Sequence, residues 1–169
     1  MRIKILGLTL LFMLFATEAY SQKKCRFDYN KKDPITGEET KGNTFPIRSW
    51  WKLGFNRSNN DYHIGMGIRL DGNVRYILTP ENTIIFKLEN DEIITVNARE
   101  EYAPVQQATS NGVSSVYSAI FNISEDDLRK FAESPLKHVR MTIGPNPADA
   151  SFNAKKGRVF QENARCILE

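Results

Sequence analysis

Two cysteines, Cys25 and Cys166, stand almost as far apart as this 169-residue chain allows. If they pair, the opening strand and the last element must lie side by side, and everything between them must run out and back as a closed circuit. That requirement limits the topology more than any local motif does. Pairing needs an oxidising compartment, so the first residues of the chain decide whether it is available.

Those residues predict export. Met1-Arg2-Ile3-Lys4 is basic, residues 5–16 are an apolar run, and Ala19-Tyr20-Ser21 places small residues at the spacing signal peptidase accepts. A signal peptide is expected over 1–21, leaving a single domain over 22–169 that is long enough to bury a core. The apolar run is too short for a lasting membrane span, and the intervening residues 17–24 separate it from Cys25, which disfavours a lipid anchor. The expected location is periplasmic or secreted. Loss of Arg2, Lys4 and Glu18 lowers the formal charge from +3 to +2, so the charge balance gives no argument for a nucleic-acid partner, and the expected export argues against one. A Cys25–Cys166 disulfide is expected. Free or intermolecular thiols and a transient redox pair are the alternatives, although no second cysteine lies close in sequence to either one.

The clearest local pattern begins at Tyr62. Tyr62, Ile64, Met66, Ile68 and Leu70 alternate with His63, Gly65, Gly67 and Arg69, the period of a strand with one buried face. Asp71-Gly72-Asn73 reads as a hairpin turn, with residues 74–78 as the returning strand and further strands at 83–88 and 93–98. A brief edge strand is expected at 27–30, turns over 31–43, and one strand over 45–55. Residues 100–112 read as a surface excursion, 113–123 as an interior strand, and 137–143 as a strand broken by Gly144-Pro145-Asn146-Pro147. Ser124 with Asp127 is a helix N-cap signature, Ile123 and Leu128 have staple spacing, and Pro135 limits the helix. A last helix over 156–168 would bury Val159, Phe160, Ala164 and Ile167. The expected fold is α+β: mainly an antiparallel β-meander with two covering helices, its terminal segments joined by the disulfide.

Four stretches, Cys25-Arg26-Phe27-Asp28-Tyr29-Asn30, Asp33-Pro34-Ile35-Thr36-Gly37, Ser124-Glu125-Asp126-Asp127-Leu128 and Lys137-His138-Val139-Arg140, carry a resemblance. With them the chain resembles small secreted or periplasmic domains of Bacteroidetes-type Gram-negative bacteria. The resemblance implies export, a β-rich domain and terminal cysteines, and it transfers no catalytic role.

The candidate chemistry divides into binding and hydrolysis. Trp50 and Trp51 precede a polar loop containing Asn59 and Asp61, and aromatic faces beside amide and carboxylate groups are the means by which exported β-domains hold sugars. These four residues are the candidate ligand-binding set, and an envelope protein or a glycan is the expected partner of a monomeric, noncatalytic interaction domain. A small periplasmic hydrolase is the alternative. Ser58, Asp61 and His63 supply the residue types of a hydrolytic relay, but such a relay needs the histidine between the other two and donors for the developing oxyanion. Asp91 with Glu92 or Glu100 could act as paired carboxylates. His63 and His138, the only imidazoles, have no compact ligand motif beside Asp61, Glu125 or Asp126, so no metal is expected. The loop 56–61 lacks the pattern of a calcium loop. No phosphate-cradling glycine motif is present, and no cofactor is expected.

Overall fold

The computed structural model describes residues 25–110, 112–144 and 146–169. The signal peptide expected over 1–21 lies outside the described residues. The strands are β1 (Tyr29–Lys32), β2 (Glu39–Gly42), β3 (Phe45–Arg48), β4 (Trp51–Ser58), β5 (Asp61–Asp71), β6 (Thr83–Leu88), β7 (Ile93–Asn97), β8 (Val105–Thr109), β9 (Gly112–Asn122), β10 (Leu136–Ile143) and β11 (Asn146–Ser151). Two helices are described, α1 (Glu125–Glu133) and α2 (Ala154–Leu168). None is long and apolar enough to cross a membrane.

All pairings are antiparallel. One sheet runs β1-β2-β4-β5-β9-β8, with β3 also on the edge of β4; the other runs β11-β10-β6-β7. The first curls toward the second at a single bridge between Ala98 and Phe121, and the Arg99 amide extends the seam by donating to the Ile120 carbonyl at 2.8 Å. The fold is therefore mostly antiparallel strand with two helices, and Cys25 and Cys166 are joined with their Cα atoms 5.4 Å apart.

Alternation along β5 buries Tyr62, Ile64, Met66 and Ile68. The neighbour of β5, however, is not residues 74–78. β9 takes that place over residues 63–71 of β5, from His63 opposite Asn122 to Asp71 opposite Ser114. Tyr117, Ala119 and Phe121 on β9 are buried, and a long strand with a matching apolar face offers more pairing and burial than a five-residue return could. Residues 73–77 consequently form no ladder. Similarly, 45–55 is not one strand: Ser49 and Trp50 turn the chain, and Phe45 lies opposite Leu53. The excursion at 100–112 contains the edge strand β8, and the break after Ile143 is the turn of a β10–β11 hairpin.

Both helices start on capping side chains. Ser124 Oγ accepts from the Asp127 amide at 3.1 Å, and Asn153 Oδ1 accepts from the Lys156 amide at 2.9 Å. The inward stripe of α2 is Gly157, Phe160, Gln161, Ala164 and Ile167; Val159, expected inside, is 43% exposed because it lies on the next face round. Phe55 of β4, Phe86 of β6, Phe131 of α1 and Phe160 of α2 meet in the core, with Phe55 and Phe160 ring centroids 4.7 Å apart and Phe86 and Phe131 4.9 Å apart. Helix α2 approaches β10 so closely that a Cβ on Gly157 would stand 2.3 Å from the Leu136 carbonyl oxygen. Alanine favours helices, yet here it must push α2 off the sheet. Gly157→Ala is expected to lower unfolding free energy by about 1–3 kcal/mol, measured by urea denaturation, where intrinsic propensity alone predicts a gain.

Candidate functional site

The four residues singled out for ligand binding do not share one place. Trp51 is 0% exposed and belongs to the core, so its ring cannot meet a ligand. Trp50, in the β3–β4 turn, is half-buried and stacks on Trp51 with centroids 6.1 Å apart and planes 21° apart. Asn59 and Asp61 lie at the opposite end of the β4–β5 hairpin. Eight residues of strand separate them from the tryptophans, on the order of 25 Å at the rise of a β-strand. Asn59 is a turn residue with φ 51°, and its side chain accepts from the Glu39 amide at 3.1 Å. Asp61 is paired with Arg99 at 2.7 Å.

Strand alternation does put Ser58, Asp61 and His63 on one side of the hairpin, but their partners are different. Ser58 Oγ donates to Glu38, Asp61 holds Arg99, and His63 stands opposite Asn56. Nδ1 of the half-buried His63 has no partner, and burial followed by the charge of Arg99 lowers its pKa. No proton relay is formed. Asp91 likewise stands in a turn between Lys87 and Lys137, at 3.0 and 3.3 Å, whose hydrogen bonds hold its carboxyl below the usual range. Among the described residues no three His, Cys, Asp or Glu side chains are grouped to hold a metal.

A different array does join these residue types. On the outer face of the second sheet, His138 Nδ1 lies 2.9 Å from Ser151 Oγ, and its Nε2 lies 3.0 Å from Asp149 Oδ1. His138 is directly opposite Ser151 in register, and Arg140 opposite Asp149. Arg140 Nε donates to the same Asp149 oxygen at 2.7 Å and is the main cause of that carboxyl's lowered pKa. A hydrolytic relay also needs an enclosed site with donors around the oxyanion. This array stands on an exposed face with Ile85 and Lys87 beside it, and its bonds act as a staple across the hairpin.

The groove with unsatisfied recognition chemistry surrounds Trp50. One hollow, of about 250 Å³, is lined by Ser49, Trp50, Arg69, Leu70 and Asp71. A second, of about 420 Å³, is where Trp50, Leu70 and Asp71 meet Asn73, Arg75, Tyr76 and the β10–β11 hairpin at Ile143, Pro147 and Ala148. Arg69, Asp71, Asn73 and Arg75 are exposed, and their side chains make no hydrogen bond or ion pair among the described residues. Tyr76 is 51% exposed, and its ring atoms come within 2.4 Å of where a Cβ on Gly144 would sit. Gly144, at φ 59°, both makes the turn and leaves room for that ring.

The wall of this groove, residues 72–78, is irregular but pinned at every second residue. The Gly72 amide donates to the Val113 carbonyl at 2.8 Å, and the Leu78 amide to the Tyr102 carbonyl at 3.0 Å. Between them, fully buried Ser115 accepts from the Val74 amide at 2.8 Å, and its hydroxyl proton is offered to the Gly72 carbonyl at 2.7 Å or Gln106 Oε1 at 3.0 Å. Gln106 Nε2 donates to the Val74 carbonyl at 3.0 Å, and the Tyr117 hydroxyl donates to the Tyr76 carbonyl at 2.8 Å. Burial raises the Tyr117 pKa, so the phenol remains a donor throughout the neutral range. Side chains of β8 and β9 thus replace the missing ladder. Asp71, Asn73, Arg75 and Tyr76 escape a sequence reading because 71–78 has the local signature of a hairpin.

A larger hollow, about 610 Å³, lies near the disulfide and includes Phe27, Lys41, Arg57, Asn59 and Glu169. Its cations already have partners. Lys41 Nζ stands 5.3 Å from the Phe27 ring centroid and donates to the Cys166 carbonyl, while Arg57 Nε donates to the Asn59 carbonyl. Burial, then Arg57, lowers the Lys41 pKa. Compared with known proteins, the chain matches no family model, no curated protein and no solved structure.

Ser115→Ala leaves the Val74 amide without its acceptor at a buried position. The expected cost is about 1–3 kcal/mol, with hydrogen exchange accelerating at Val74 while the amides of β4 and β5 keep their protection relative to global stability.

Proposed function

We propose that the protein is an exported, noncatalytic binding domain, periplasmic or secreted, and that the groove around Trp50 is its ligand seat. One observation carries this reading. Trp50 presents a half-exposed indole stacked on the buried Trp51, and uncommitted polar residues line the two hollows that share it. A ligand that stacks there finds a platform already ordered, which lowers the entropy cost of binding. The disulfide is consistent with folding in an oxidising compartment. An envelope glycan or envelope protein is the partner class, taken up by a monomer.

The test compares two adjacent tryptophans on arrays of bacterial envelope glycans and envelope proteins. Trp50→Ala is expected to lose at least about tenfold in affinity for the captured ligand while keeping its unfolding midpoint, because it removes an aromatic contact at the surface. Trp51→Ala is expected to lose about 3–5 kcal/mol of stability, the cost of emptying a buried aromatic site. A folded Trp50→Ala protein that binds at full strength contradicts the assignment. So does ester turnover that disappears on Ser151→Ala, which would move the protein to the hydrolase alternative.

A further inference from the structure

We infer that the Trp50 groove takes an acidic polysaccharide, a chain of uronate-type sugars whose successive units occupy the two hollows that share Trp50. The inference rests on the reading of this groove as the ligand seat and adds the chemistry of its occupant. The two hollows share Trp50, Leu70 and Asp71; Arg69 lines only the smaller and Arg75 only the larger. One arginine thus lines each hollow, and Asp71 lines both. Arg69 and Asp71 are exposed on the same side of β5, two residues apart. None of the three charges is neutralised by a hydrogen bond or ion pair among the described residues.

A matching ligand offers an anion, hydrogen-bond donors and then a second anion, along a body with apolar faces. Consecutive uronate units do this. Their carboxylates meet Arg69 and Arg75 through charge-assisted bonds, hydroxyls between them donate to Asp71, and a sugar face lies on Trp50. Tyr76, the half-buried Leu70 and the buried Ile143 and Ala148 supply the apolar part of the larger hollow's lining. A neutral glycan would leave both guanidinium groups without counter-charge. An acidic peptide would satisfy them too, but its extended backbone has no ring face of a sugar's kind to lie along Trp50. An arginine in the lining of each hollow, beside an aromatic platform common to both, therefore favours the sugar acid.

Affinity is measured by calorimetry on the exported protein with three probes: a hexamer of galacturonate, the same hexamer fully methyl-esterified, and a poly-glutamate peptide of similar charge. The galacturonate hexamer is expected to bind best, and to weaken as salt rises. Arg69→Ala and Arg75→Ala are each expected to weaken it about tenfold, with Trp50→Ala weakening all sugar binding and Lys31→Ala changing nothing. Equal binding of the esterified hexamer overturns the inference while leaving the groove as a binding site. Tighter binding of poly-glutamate, lost in the Arg69→Ala and Arg75→Ala variants, assigns the groove to an acidic peptide and overturns it as well. Failure of all three probes on folded protein also overturns it, and the array comparison of Trp50→Ala then judges the broader reading separately.

Discussion

Four phenylalanines hold the two sheets and two helices to one another. Phe55 and Phe86 come from different sheets, Phe131 and Phe160 from different helices, and each ring touches at least two of the others. All four are fully buried. Aromatic groups of this size dominate core energetics through the area they remove from water, and their tilted and edge-on contacts add specificity. The two sheets share only a short seam beside β9, so their relative position depends on this cluster and on α2 lying against β10. Arg165 and Gln161 strengthen the same junction by donating to the Ala132 carbonyl at the end of α1. The disulfide then ties the first described residues to the end of α2 across 141 residues of chain. Closing so long a loop is worth about 5 kcal/mol on the chain-entropy model.

That frame explains how an irregular segment can carry a defined site. The groove wall has no strand of its own, and a loop of this kind would ordinarily be mobile. Here Ser115, Gln106 and Tyr117 project from paired strands and satisfy its backbone, so Arg75 and Tyr76 are displayed from a held position. Trp50 is fixed from beneath by Trp51, which itself packs at the end of the β4–β5 pairing opposite Ile68. The site thus draws its order from the core, while its uncommitted charges remain at the surface. By contrast, the larger hollow beside the disulfide uses its lysine and arginine to close off the end of α2 and the hairpin turn. Its polar groups serve the fold.

Much of this fold is legible in local sequence. The alternation of β5, the cap at Ser124 and the strand ending at Ile143 each follow from nearby residue types, and the cysteine pair follows from there being two cysteines in the sequence. What local pattern does not contain is the choice of neighbour. Residues 74–78 look like the return of a hairpin after Asp71-Gly72-Asn73, but a distant eleven-residue strand with a better apolar match wins the edge of β5. The site suffered from the same limit. Adjacent Trp50 and Trp51 were both plausible as ligand contacts, and only the burial of Trp51 separates them. Asn59 and Asp61 are close to the tryptophans in sequence and at the far end of a hairpin in space. The residues that do surround Trp50 come from three chain segments, and no periodicity announces their convergence.

The groove around Trp50 is the proposed point of ligand contact. Two-dimensional NMR of the isotopically labelled protein, titrated with the galacturonate hexamer, reports this without any substitution. The indole signal of Trp50, the guanidinium signals of Arg69 and Arg75, and the amides of 71–76 are predicted to shift together and saturably, with the Trp51 and Lys41 environments little changed. Shifts gathered instead around Phe27, Lys41 and Arg57, with Trp50 unmoved, would contradict it.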